Sequence, residues 1–181
     1  MNNFQELTTT KKGNLGEYIV DKYLLGKNII PYIPHPDNNT AHPFDRLCAS
    51  RDKKNVFIAE VKTKPSRNYY PDTGINLKAY DEYKFIQDKY KIEIWMFFVD
   101  ENINKVYGNK LSKLDIPIEI IFKGKRINYP LTQQNNYGTK IIYFPIEYMI
   151  DICNIDDNIS QELKNLSTRN YEYLNLDNVG K

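Results

Sequence analysis

Three side chains with catalytic potential lie close together in the sequence: Asp45, Glu60 and Lys62. They belong to two strand-like runs, residues 43–50 and 56–63, which are separated by a polar turn. Short runs of this kind bounded by turn formers are typical of a β-hairpin. The sequence therefore predicts that the two acids and the lysine are carried on paired strands.

The face on which these side chains lie depends on the register of the hairpin. If Asp52 and Lys53 are the central turn residues, Asp45 falls directly opposite Glu60. Opposed residues share a face, with Cβ atoms about 5 Å apart. Because side chains alternate along a strand, Lys62 lies on that face too. A longer loop or a bulge would shift this pairing.

Two neighbouring carboxylates repel each other unless a cation lies between them. A hard divalent cation suits such a pair, because it prefers oxygen ligands. Lys62 could then orient an attacking water or neutralise a phosphate. This combination meets the needs of metal-assisted phosphodiester hydrolysis. The alternative interpretation is an exposed hairpin with an ordinary cross-strand ion pair, since an acid two residues before a lysine is common by chance.

The motif resembles that of a known family. Pro43-Phe44-Asp45 followed by Glu60-Val61-Lys62 resembles the PD-(D/E)xK motif of the restriction-endonuclease-like nucleases, with Phe44 inserted where the family's name implies Pro-Asp. Upstream, Lys12-Gly13-Asn14-Leu15-Gly16-Glu17 resembles the start of the first helix in the Holliday-junction-resolvase-like branch. The resemblance spans residues from about 11 to 100.

The resemblance implies a fold and a set of roles. The fold is α/β, with a core of helix, three strands, helix and strand, and a mixed central sheet flanked by helices. The implied activity is a magnesium-dependent deoxyribonuclease in which Mn²⁺ can replace Mg²⁺. Asp45 and Glu60 would hold the metal with the carbonyl of Val61, and Glu17 can join them in the resolvase-like branch. Lys62 would serve the attacking water or the phosphate.

The partner implied by this activity is DNA, with RNA left open as an alternative substrate. A net charge of only +2 means that a nucleic-acid surface must come from local clusters of basic residues. We predict contacts to DNA from Lys12, in the first-helix motif, and from Lys64 and Arg67, which follow Lys62 in the sequence. A two-fold homodimer is an attractive assembly, because cutting both strands needs two sites.

Three functions compete. The first is a structure-selective endonuclease similar to the junction resolvases, which the first-helix motif favours. The second is a sequence-specific restriction-type endonuclease, for which the long C-terminal part leaves room. The third is a non-catalytic nucleic-acid-binding or assembly subunit that keeps the fold. The intact Asp45, Glu60 and Lys62 argue against the third, because a protein without catalysis has no physical need to hold two acids together.

Composition indicates a cytoplasmic protein with no membrane partner. Cys48 and Cys153 show no paired spacing, which fits a reducing compartment and argues against zinc. The first residues lack the pattern of a signal peptide. The longest apolar run, residues 92–99, is too short to span a bilayer.

Periodicity places the elements around the motif. We expect one nuclease-like domain at 1–153, with its core at about 11–100 and an elaboration at 101–153, followed by a C-terminal helix and polar tail at 154–181. The predicted elements are a first helix capped within Thr8-Thr9-Thr10 and ended by Gly26, an edge strand at 28–33, the hairpin, a loop at 65–74, a helix at 75–90, a strand at 92–99, a strand at 103–107, a helix or strand at 111–121, a loop at 123–136, a strand at 140–144, a helix at 145–153, a helix at 160–167 and a tail at 168–181.

Overall fold

The structure is a computed structural model that describes residues 8–33 and 44–167. Pro43 and the predicted tail at 168–181 lie outside the described residues. In chain order the elements are α1 Thr8–Gly26, β1 Ile29–Tyr32, β2 Arg46–Ser50, β3 Val56–Thr63, β4 Asp72–Asn76, α2 Leu77–Tyr90, β5 Glu93–Asp100, β6 Lys105–Lys110, α3 Leu111–Leu114, β7 Ile118–Phe122, β8 Lys125–Tyr129, β9 Leu131–Gln134, β10 Lys140–Pro145, a 3₁₀ turn Ile146–Tyr148, β11 Ile150–Asn154 and α4 Asp157–Asn165.

The central sheet has six strands in the order β1-β2-β3-β5-β6-β11. Only β3 and β5 pair in parallel, and the other neighbours are antiparallel. A parallel pair needs a crossover connection, which the segment containing α2 supplies. The predicted mixed α/β fold and its core order are confirmed, with β4 inserted between β3 and α2. Pro31 lies on an edge strand as predicted, where its missing N–H is tolerated.

Both faces of the central sheet are covered. On one face α1 and α4 pack against β3, β5 and β6 through an apolar cluster that includes Val20, Phe97 and Leu163. On the other face α2, α3 and β10 pack through a second cluster that includes Ile94 and Phe144. Strands that are buried on both faces carry apolar residues on both, which explains the near-continuous apolar run in β5.

A second, three-stranded sheet in the order β4-β10-β9 and a separate β7–β8 hairpin complete the described part of the chain. Three sequence predictions are wrong in this region. Residues 123–136 contain two strands instead of a loop, and residues 145–153 form a 3₁₀ turn and an edge strand instead of a helix. The second helix begins at Leu77, two residues later than predicted. Ile75 belongs to β4, and the Asn76 side chain caps the helix by accepting a hydrogen bond from the Lys78 N–H at 2.9 Å.

The C-terminal segments are integrated into the core. The predicted boundary after residue 153 falls inside β11, which pairs with β6. Leu163 of α4 is fully buried in the first apolar cluster. In the described part of the chain, no helix has the length and apolar character needed to cross a membrane.

Candidate active site

The β2–β3 hairpin brings Asp45 and Glu60 into contact. Arg46 pairs with Ala59, so Asp45, one residue before β2, lies opposite Glu60 as predicted. The Asp45 backbone N–H donates to Glu60 Oε2 at 3.2 Å. The Val61 N–H donates to Asp45 Oδ2 at 2.7 Å. These two bonds hold the carboxylates together at the open end of the hairpin.

The turn of the hairpin is longer than predicted but has the same centre. The Ser50 N–H donates to the Asn55 carbonyl at 2.9 Å and closes a four-residue loop. Lys53 adopts a left-handed conformation with φ of 60°, and Asp52 Oδ1 accepts from the Lys54 N–H at 3.2 Å. A four-residue loop and a two-residue turn with one centre give the same pairing, so the register is preserved.

Glu60 is nearly inaccessible to solvent, with 3% of its surface exposed. Its Oε1 atom accepts a hydrogen bond from Lys62 Nζ at 2.5 Å and another from the Tyr83 hydroxyl. Lys62 Nζ also lies 5.8 Å from the centre of the Tyr83 ring, within the range of a cation–π contact. Tyr83 of α2 therefore contacts both charged members of the Glu60-Val61-Lys62 motif.

Arg46 connects the site to α1. This side chain is 6% exposed and lies on the face of β2 opposite to that of Glu60. Its guanidinium contacts Asp21 Oδ2 and Glu17 Oε2 at 2.9 Å each, and it donates to the Asp45 carbonyl at 2.8 Å. Glu17, which the resemblance assigns to the metal, is here the partner of Arg46.

The pKa values of Glu60 and Glu17 are both raised above the ordinary value for a glutamate. Burial is the largest effect on Glu60 and raises its pKa, while Lys62 lowers it and Asp45 raises it. Burial also raises the pKa of Glu17, and the charge of Asp45 adds to that shift, against the opposing charge of Arg46. Asp45 therefore acts electrostatically on carboxylates on both faces of the sheet.

The charge count of the site is uneven. Its carboxylates are Glu17, Asp21, Asp45 and Glu60, and its cations are Arg46 and Lys62. Four negative and two positive groups leave an excess of two negative charges, which is the charge that one divalent cation would neutralise. Carboxylate oxygens are the ligands that Mg²⁺ and Mn²⁺ prefer.

Asp45 and Glu60 fit a divalent cation, and Glu17 fits less well. Among the described residues, no three His, Cys, Asp or Glu side chains are arranged as a metal-binding group. The Glu17 carboxylate is paired with the Arg46 guanidinium at 2.9 Å. The roles of Asp45, Glu60, Val61 and Glu17 as metal ligands stay predictions.

Gly16 allows α1 to approach the end of β3. A Cβ atom at Gly16 would overlap Thr63 Oγ1 and would lie 2.9 Å from Thr63 Cβ. Only glycine permits this close packing, which places Glu17 beside Arg46. The Gly-Glu step of the predicted first-helix motif thus has a steric reason in this chain.

The basic residues predicted to contact DNA all make contacts within the protein. Lys12 Nζ lies 2.5 Å from Glu101 Oε1, and only 12% of the Lys12 side chain is exposed. Lys64 Nζ donates to the Gly74 carbonyl. Their contacts to DNA stay predictions.

Arg67 has the most extensive set of internal contacts of the three. Its Nε and Nη2 atoms bind the two carboxylate oxygens of Asp72 at 2.5 Å each, and Asp72 also accepts from the Tyr129 hydroxyl at 2.6 Å. The rings of Tyr70 and Tyr143 lie 4.3 and 3.8 Å from the guanidinium. Arg67 therefore ties the loop after β3 to the small sheet.

Sequence reasoning missed two site residues, Arg46 and Tyr83. A signal existed for Arg46: it occupies an inward-facing strand position, and Glu17 and Asp21 share one face of α1 at a spacing of one helical turn. Tyr83 lies on the core-facing side of α2 and is buried, and a buried phenol needs a hydrogen-bond acceptor. Glu60 is that acceptor.

Comparison with known proteins gives two distant similarities in fold. No protein-family model matches the chain, and no curated protein matches it. A solved structure of Hjc, a Holliday junction resolvase from Archaeoglobus fulgidus, is similar with a TM-score of 0.48 and 7% identity, covering 82% of this chain and 99% of that one. D212, a nuclease from a fusselovirus, is similar with a TM-score of 0.44 and 11% identity, covering 85% of this chain and 93% of that one. At these scores, neither similarity carries a conclusion about the activity of this chain.

Proposed function

We propose that this protein is a divalent-cation-dependent endonuclease that hydrolyses phosphodiester bonds in DNA. One observation supports this most directly: Asp45 and Glu60 are held in contact, with Lys62 bonded to Glu60. Repulsion between the acids disfavours such a pair in the absence of a cation. Burial raises the pKa of Glu60, and acids with a perturbed pKa cluster at functional sites.

Each residue has a proposed role. Asp45 and Glu60 would hold Mg²⁺ or Mn²⁺, together with the carbonyl of Val61. The bound cation would supply Lewis-acid stabilisation of the charge that develops on the phosphate. Lys62, with 30% of its side chain exposed, would orient the attacking water or bind the phosphate. Glu17 would join the metal only when it leaves Arg46.

We further propose that cleavage is selective for branched DNA. The support is the first-helix motif, whose Gly16 seats α1 against β3 and Glu17 beside Arg46. This motif is the one that resembles the junction-resolvase branch. A homodimer would supply two sites for the two strands of such a substrate.

The test is cleavage by the purified full chain with Mg²⁺, with Mn²⁺ and without either. The substrates are a four-way junction, linear duplex, supercoiled plasmid and single-stranded DNA. Lys62→Ala is expected to abolish cutting. Lys110→Ala is a matched control, because Lys110 forms a similar ion pair with Glu93 at 3.2 Å and lies outside the site.

The outcomes separate the candidate functions. Metal-dependent cutting that Lys62→Ala abolishes and Lys110→Ala retains supports the nuclease, and a preference for the junction supports structure selectivity. Cutting at fixed sequences would favour the restriction-type alternative. If no substrate is cut, but Mg²⁺ raises the melting temperature of the wild type and leaves Asp45→Asn unchanged, the protein is a metal-binding subunit without catalysis.

A further inference from the structure

The longest stretch of this chain without an acidic residue is residues 120–146. The whole chain has 23 acidic residues in 181 positions, which corresponds to one in roughly every eight. The charged residues of the stretch are Lys123, Lys125, Arg126 and Lys140. In a protein with a net charge of +2, this segment is a local concentration of positive charge.

The stretch forms β8, β9 and β10, and its polar side chains face solvent. The exposed residues that can donate hydrogen bonds from side chains are Lys123, Lys125, Arg126, Asn128, Thr132, Gln133, Gln134, Asn135, Asn136, Tyr137 and Lys140. Amides and cations dominate this set. Gln and Asn hydrogen-bond to base edges and Lys and Arg bind phosphates, so this composition suits a nucleic acid.

The tip of the β9–β10 hairpin is tightly hydrogen-bonded. The Asn135 N–H donates to the Thr139 carbonyl at 2.9 Å, and the Gly138 N–H donates to the Asn135 carbonyl at 3.0 Å. The Asn135 side chain accepts from the N–H groups of Tyr137 and Thr139 at 3.0 and 2.9 Å. Tyr137 is 93% exposed at this tip. An aromatic ring presented by a preorganised turn loses little entropy on binding.

The hairpin is connected through Lys64 and Arg67 to the end of β3, the strand that carries Glu60 and Lys62. β10 pairs with β4, and the Gly74 carbonyl of β4 accepts from Lys64, two residues beyond Lys62. Gln133 of β9 accepts from Arg67 Nη1 at 2.6 Å. Neighbouring strands lie about 4.8 Å apart, so β9 is about 10 Å from β4 across the small sheet.

We propose that residues 125–140, here called the arm, bind branched DNA beside the site of cleavage. The β9–β10 hairpin, which forms one edge of the three-stranded sheet, enters the major groove, which admits two paired strands, and the amides of β9 and its turn contact base edges. Lys125, Arg126 and Lys140 bind phosphates. Tyr137 stacks on a base that is unstacked at the branch point. This inference deepens the proposed function and rests on it for the identity of the substrate.

The test is equilibrium binding without divalent cations, so that cleavage does not interfere. Fluorescence anisotropy of the full chain is measured with a labelled four-way junction and a linear duplex over a range of salt concentrations. Tyr137→Ala is expected to weaken junction binding about tenfold and duplex binding less. Lys125→Gln/Arg126→Gln is expected to lower the salt slope of log K by about 1.8, or about 0.9 for each lost phosphate contact.

Matched variants and thermal melting control for general effects. Tyr148→Ala removes another exposed tyrosine, which lies in the 3₁₀ turn. Lys53→Gln/Lys54→Gln removes another adjacent basic pair, which lies at the turn of the β2–β3 hairpin, away from Asp45 and Glu60. Both controls are expected to keep wild-type affinity and salt slope. Thermal melting checks that all four variants remain folded.

The results distinguish this inference from the proposed function. Wild-type affinity and a wild-type salt slope of log K in both arm variants would contradict DNA binding by the arm, even if the protein cuts DNA. If the arm variants lose binding, and the wild type binds DNA but never cuts it with Mg²⁺ or Mn²⁺, the results would support DNA binding by the arm and contradict the proposed endonuclease activity. Failure of the wild type to bind any DNA would directly contradict the proposal that the arm binds DNA.

Discussion

Two buried carboxylates in this molecule accept hydrogen bonds from the same kinds of side chains but differ in the balance of charge around them. Glu60 and Asp72 are both almost inaccessible, and each accepts hydrogen bonds from one basic side chain and one tyrosine. The donors are Lys62 and Tyr83 at Glu60, and Arg67 and Tyr129 at Asp72. The two carboxylates therefore have similar hydrogen-bond donors, and they differ in whether a second acid lies beside them.

At Asp72, one guanidinium binds both carboxylate oxygens and the charges are matched. At Glu60, the second acid Asp45 lies in contact, and Lys62 is the lysine paired with Glu60. A matched and fully bonded pair serves to hold two segments together. A site with excess negative charge is destabilised until a cation binds. Glu60 and Asp72 are both buried, so it is the excess of negative charge that distinguishes the proposed active site from the Arg67–Asp72 ion pair.

The largest expected effect that separates the two groups is on catalysis. Asp45→Asn should reduce metal-dependent cleavage by about a thousandfold, because it weakens the site for the cation that stabilises the transition state. The asparagine can still accept the Val61 N–H bond, so the hairpin should remain intact. Cleavage under single-turnover conditions measures the loss, and near-wild-type rates would show that Asp45 is not part of the catalytic site.

The matched pair should show its role in stability. Arg67→Ala leaves Asp72 buried without its cation, which is expected to lower the free energy of unfolding by about 3 kcal/mol. In the metal-free protein, Asp45→Asn should instead leave the free energy of unfolding unchanged or raise it. Urea denaturation of both variants measures the difference. Equal destabilisation by the two substitutions would remove the distinction between the groups.

The two tyrosines provide a finer test. Tyr83→Phe removes a donor to Glu60 and should reduce cleavage about tenfold, which corresponds to about 1.4 kcal/mol. Tyr129→Phe removes the equivalent donor to Asp72 and should lower the free energy of unfolding by about 1 kcal/mol without changing the rate per folded molecule. A shift in the pH–rate profile only in Tyr83→Phe would show that this hydroxyl acts through Glu60.

The smallest expected effect is on the pH dependence of stability. Burial and Asp45 raise the pKa of Glu60 and Glu17 above the ordinary value of 4.5, although Lys62 and Arg46 oppose the shifts. The folded state then holds protons that the unfolded state has lost, so the stability of the metal-free protein should fall as pH rises through this window. Affinity for Mg²⁺ should rise over the same window, because protons compete with the cation.

Thermal melting from pH 4 to 7, with and without Mg²⁺, measures both trends. Asp45→Asn should show a shallower fall in stability, because it removes one cause of the raised pKa values. A stability that rises with pH in the metal-free wild type would contradict the assignment of excess negative charge to this site.

The sequence predicted the N-terminal half of the fold well because its strands and helices are patterned by burial. The β2–β3 hairpin has apolar residues on both faces, and its turn residues fix a register that places Asp45 opposite Glu60. Arg46 and Tyr83 were missed as site residues because their roles depend on which helix covers each face of the sheet. That packing is a tertiary property, and local periodicity does not report it.

The C-terminal half was predicted less well because its strands are largely exposed. β9, Leu131–Gln134, has no fully buried residue, so it lacks the apolar alternation typical of a strand. β11, Ile150–Asn154, is an edge strand with an irregular register against β6, and its polar residues resemble a helix or loop. β9 is stabilised by backbone hydrogen bonds to β10, and β11 by backbone hydrogen bonds to β6, so both depend on their tertiary context.

The close packing of Gly16 on Thr63 has a consequence for how chains of this kind can diverge. A Cβ at position 16 would lie 2.9 Å from Thr63 Cβ, so shortening Thr63 to alanine would not make room for it. Positions 16 and 63 should therefore change together during evolution: a larger residue at 16 should occur with glycine at 63, or with an α1 that has moved away from β3. Such covariation would link the first-helix motif to β3, the strand that carries Glu60, through steric fit alone.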